Sequence, residues 1–141
     1  MKTKALQIRN AVFWALVVFF AALVAGVGMV NRWRFLGHKH LLLAIIGITF
    51  CGLAAVLVVL TVKLKEPLIR KIFFILTGAS AVGIPICGIL HNLVYGLFFH
   101  GKDGDEAVFF ILAVLVCPAL FVIGMLGSIV LLISARLKKE S

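Results

Sequence analysis

Apolar positions run along this chain in long unbroken blocks, separated by short polar stretches, instead of recurring at the period of a surface helix or strand. Ala11–Val30 is twenty residues without a charge, about the length that crosses a ~30 Å hydrocarbon core as a helix rising 1.5 Å per residue. Three more blocks follow, Leu41–Val62, Ile72–Phe99 and Ala107–Ala135. The pattern predicts an all-α integral membrane protein, a single domain over 1–141 forming a four-transmembrane-helix bundle with spans at about 11–30, 41–62, 72–99 and 107–135. A cleaved signal peptide competes for the first block, given its basic start and the small residues Ala25, Gly26 and Gly28. Its uninterrupted length favours a retained helix.

The polar stretches carry turn and boundary signals. Gly37 can turn the connector Asn31–His40, and its Trp33 and Phe35 suit the membrane–water interface. Pro67 suits a helix boundary in the basic connector Lys63–Lys71. The third block is too long for a straight crossing and must tilt, kink or protrude. Pro85 near its middle predicts a kink, and Pro118 lies at a comparable depth in the fourth.

Composition strengthens this picture. Hydrophobic residues make up 64% of the 141 and charged residues 13%, against roughly 25% charged in a soluble domain, so the lipid bilayer is an expected partner. A net charge of +9 in a soluble protein would suggest nucleic acid. Here the lysines and arginines sit in short flanks, where they act as orientation signals. With a cytoplasmic N-terminus, the inside segments hold Lys2, Lys4, Arg9, Lys63, Lys65, Arg70, Lys71, Arg136, Lys138 and Lys139. The outside loops hold only Arg32, Arg34, Lys39 and Lys102. Both termini are therefore expected to be cytoplasmic, in an inner or plasma membrane, and no nucleic-acid partner is expected.

Candidate chemistry concentrates in the third block. Thr77, Ser80, Cys87, His91 and Tyr95 follow one another, through Ile84, at three- or four-residue steps and share a helix face, with Asn92 rotated by about 100°. The face could line a pathway. His91, Asn92 and Tyr95 could bind a quinone or lipid headgroup, or relay a proton; for these three, interhelical hydrogen bonding is the plainer expectation. The four histidines His38, His40, His91 and His100 all fall in the outer half. They could hold a transition metal, and His40 with His91 are the pair to consider for a bis-histidine haem. No resident cofactor is expected on balance. Cys51, Cys87 and Cys117 lie at similar depths in three blocks, a layer that a soft cation such as Cu(I) would favour, although thiols also pack well as small hydrophobes. Gly47, Gly52, Gly78, Gly83 and the Gly124–Ser128 run suit close helix approach.

What is missing ranks the functions. The four blocks as bounded contain no Asp, Glu, Lys or Arg, which weakens ion-coupled transport. No hydrolase triad or phosphate-binding loop occurs, and the cytoplasmic loops are too short for a soluble active site. The first block lacks the glutamate of small multidrug exporters, and the paired cysteines of small mercury-uptake proteins are absent. A non-enzymatic accessory or assembly subunit, associating with other membrane subunits or with itself, is expected first. A small transporter or channel along the polar face of the third helix comes second, and a haem- or metal-binding redox protein third.

Overall fold

The computed structural model describes the backbone of residues 2–29, 39–99 and 107–140, all of it helix or short connection. It is all-helical, with four helices long and apolar enough to span a membrane: Lys4–Gly26, Ala44–Lys63, Leu68–Phe99 and Val108–Lys138. The chain falls into two compact units, residues 1–65 and 66–141.

The first unit pairs α1 (Lys2–Met29) with α2 (Lys39–Lys63). The helix of α1 begins well before the apolar block, because Lys, Ala, Leu, Gln and Arg are good helix formers and nothing in the first ten residues interrupts them. The two helices must run antiparallel. Ten Cα steps separate Met29 from Lys39 and reach at most ~36 Å, less than the ~42 Å length of α1. Phe20 on α1 and Phe50 on α2 approach with ring centroids 6.2 Å apart. From that contact, stripes of buried residues run away along both helices. Leu16, Phe13 and Arg9 lie on α1; Ala54, Leu57 and Thr61 lie on α2. Arg9 is eleven residues before Phe20 and Thr61 eleven after Phe50, so the antiparallel register brings them to one level.

The second unit begins at the short connection ending in Pro67, whose extended ψ of 140° stops it from joining the following helix. Its carbonyl accepts from the N–H groups of Arg70 and Lys71, and Arg70 pairs with Glu66 at 3.1 Å. Helix α3 (Leu68–Val94) continues unbroken through Pro85 and runs directly into a wide π turn, Tyr95–Phe99. The returning run consists of α4 (Val108–Ile111), a second π turn (Leu112–Val116) and α5 (Cys117–Glu140). The second π turn has an evident cause. Pro118 lacks an N–H and its ring crowds the carbonyl four residues back, at Val114, so the helix widens there.

Glycines set how closely α3 and α5 pack. A Cβ on Gly127 would lie 2.2 Å from the Phe73 ring, and one on Gly124 would lie 2.7 Å from the backbone nitrogen of Thr77. A Cβ on Gly83 would lie 2.9 Å from Cys117 Sγ. Positions fall on α5 as they rise on α3, the signature of an antiparallel pair. Gly47 and Gly52 have open space where a Cβ would stand, so neither sets how closely α1 and α2 approach.

Candidate functional site

The polar face predicted on the third helix divides in two. Its lower part, Thr77 and Ser80, is buried and turned back on its own helix. Thr77 Oγ1 donates to the Phe73 carbonyl at 2.8 Å and Ser80 Oγ to the Leu76 carbonyl. This is the i−4 back-bonding open to any helical Ser or Thr. These hydroxyls are therefore engaged within their own helix. Gly124 fits against Thr77, so this part of the face packs instead of lining an opening.

The upper part comprises Cys87, His91, Asn92 and Tyr95. The His91 ring stacks near Tyr95, one turn on, with centroids 6.4 Å apart, and meets Phe110 of the returning run at 5.4 Å. Cys87 and His91 are half-buried, whereas Tyr95 and Asn92 are exposed. Asn92 leaves the group altogether: its Nδ2 donates to the Gly88 carbonyl at 2.8 Å. The Cys87 thiol lies within interaction range of the Cys117 thiol. Cys87 and Cys117 thus form a pair within the second unit, and Cys51 belongs to the first.

His38 and His100, and the side chain of His40, lie outside the described residues. No cluster of three or more His, Cys, Asp or Glu with metal-binding geometry occurs among the described residues.

The first unit holds a residue that hydropathy hides. Arg9, read from the sequence as part of a polar flank, is inside the candidate span Lys4–Gly26 and fully buried. The helix therefore carries Lys4 and Arg9 into that span, ahead of the uncharged block Ala11–Val30. Asn10 Oδ1 accepts from Arg9 Nε at 3.1 Å and from Nη2 at 2.7 Å, so one amide oxygen engages both N–H groups along one edge of the guanidinium. Charge-assisted bonds of this kind are roughly twice as strong as neutral ones. The available signal was spacing: Arg9, Phe13 and Leu16 share one helix face.

The chain matches no known protein family, no curated protein and no solved structure.

Proposed function

We propose that this chain is a multi-pass membrane protein, with both termini on the cytoplasmic side of an inner or plasma membrane. In this reading it acts without catalysis, as an accessory or assembly subunit or as a homo-oligomer. The observation that carries the reading is where polar and apolar side chains are directed. Thr61, Thr77, Ser80 and Asn92 bond to carbonyls of their own helices, while Ile48, Leu97, Val114, Leu115 and Val130 stand outward. A surface of large aliphatic side chains suits lipid or other apolar helices and would be an aggregation hazard in water. In the second unit the lower polar face is filled by α5, which disfavours a solute pathway there.

The test has two parts. A reporter that fluoresces only in the cytoplasm should light up when fused to either terminus and stay dark when inserted between residues 101 and 106. Protein reconstituted in lipid nanodiscs after mild extraction should run as a complex larger than one chain. A monomer that moves solute across liposome membranes would replace this reading with the transporter.

A further inference from the structure

Cys87 and Cys117 are placed as a pair by three independent features of the second unit. The first is register. Cys117 Sγ lies 2.9 Å from where a Cβ of Gly83 would stand, and Cys87 follows Gly83 by four residues, about 6 Å further along α3. The second is side-chain direction. Side chains on a helix lean toward its N-terminus. On these antiparallel helices Cys87 leans back toward the level of Gly83, and Cys117 leans toward the level of Cys87. The two thiols therefore converge although their backbones are staggered, and they lie within interaction range of each other. The third is the wide turn Leu112–Val116, which ends immediately before Cys117 and fixes the rotation at which α5 presents it. Both thiols are free and half-buried.

We propose that Cys87 and Cys117 form a two-thiolate site for a soft cation of the Cu(I) type. Two converging sulfurs match the preference of such an ion for thiolate donors. No third His, Cys, Asp or Glu completes a cluster there among the described residues, which fits a two-coordinate ion and not tetrahedral zinc. On binding, two S–H bonds break, two S–Cu bonds form and two protons leave to the medium. The copper remains Cu(I) throughout. The site does not depend on the accessory-subunit reading, because neither thiol takes part in it.

The experiment uses the full chain, purified in mild detergent and kept reduced and anaerobic, with Cu(I) offered as its bicinchoninate complex. The intact protein should withdraw one Cu(I) per chain. C87S and C117S should each lose that stoichiometric binding, and C51S should keep it. Binding should weaken as pH falls, by up to about 100-fold per unit where both thiols are protonated in the free protein, because two protons compete with one ion. Should a serine variant fail to fold, maleimide labelling of the intact chain decides instead: Cu(I) should shield Cys87 and Cys117 and leave Cys51 reactive. Failure of the intact protein to retain copper overturns the proposal. So does equal retention by the C87S/C117S double variant, or recovery of a Cys87–Cys117 disulfide in place of a metal complex.

Discussion

At the scale of single residues, the same glycine is indispensable in one place and neutral in another. A methyl at Gly124 would meet the Thr77 backbone at 2.7 Å and the Phe73 carbonyl at 3.1 Å, atoms that cannot rotate away. Gly124→Ala should therefore destabilise the second unit by about 1–3 kcal/mol, the usual cost of overpacking. Gly127→Ala, against the Phe73 ring, should fall in the same range. Gly47→Ala and Gly52→Ala should leave stability unchanged or raise it slightly, since alanine restricts the unfolded chain more. Midpoints of unfolding in sodium dodecyl sulfate, followed by circular dichroism, separate the two pairs. Equal effects at all four positions would contradict the packing described. Arg9 makes a second residue-scale prediction. Asn10→Ala removes the oxygen shared by two guanidinium N–H groups, and the same measurement should register a loss of about 1.5–3 kcal/mol, as for other hydrogen bonds to charged groups.

At the scale of helices, the pairing of α1 with α2 rests on a register that a double-mutant cycle can read. Phe20→Ala and Phe50→Ala should each destabilise, and the double variant should cost less than the two together by about 0.5–1.5 kcal/mol, the coupling of one aromatic pair. Strict additivity would mean that the rings do not meet. The four apolar helices were legible in the sequence because block length alone dictates them. Their ends were less so. Lysine and arginine read as flank by polarity and as helix by propensity, and in α1 propensity won. Pro118 announced a disturbance in the fourth helix, but Pro85 has the same chemistry and sits in continuous α-helix. Proline thus marks where a helix is weakened, without saying whether it widens. The π turn at Tyr95–Phe99 contains no proline, and no local signal foretold it. The candidate site was half legible: the face from Thr77 to Tyr95 follows from spacing, but its hydroxyls are occupied by carbonyls that periodicity does not display.

At the scale of the whole chain, charge and apolar surface answer different questions. The blocks of aliphatic residues argue for a bilayer, and the excess of lysine and arginine in alternate connectors argues for an orientation. The orientation can be challenged directly. On the proposed orientation, replacing Lys63, Lys65, Arg70 and Lys71 with Gln removes four of ten inside charges and leaves six against four outside. The terminal reporters should then show a mixture of orientations instead of a single one. An unchanged single orientation would mean that something other than loop charge sets the topology.

The connection between α2 and α3 has a consequence for how such a chain is made and inherited. Only Leu64–Pro67 separates the helices, and each unit on either side is a closed hairpin with its own internal packing. A hairpin brings both of its ends to the same side, so a ribosome could deliver the first complete before the second is translated. A gene cut between codons 65 and 66 would encode two polypeptides, each a whole hairpin, and co-expression of the halves is the natural trial of that division. If they accumulate together, the four-residue connection is a convenience of synthesis, and shuffling, duplication or fusion of hairpins becomes open to the lineage that carries this gene.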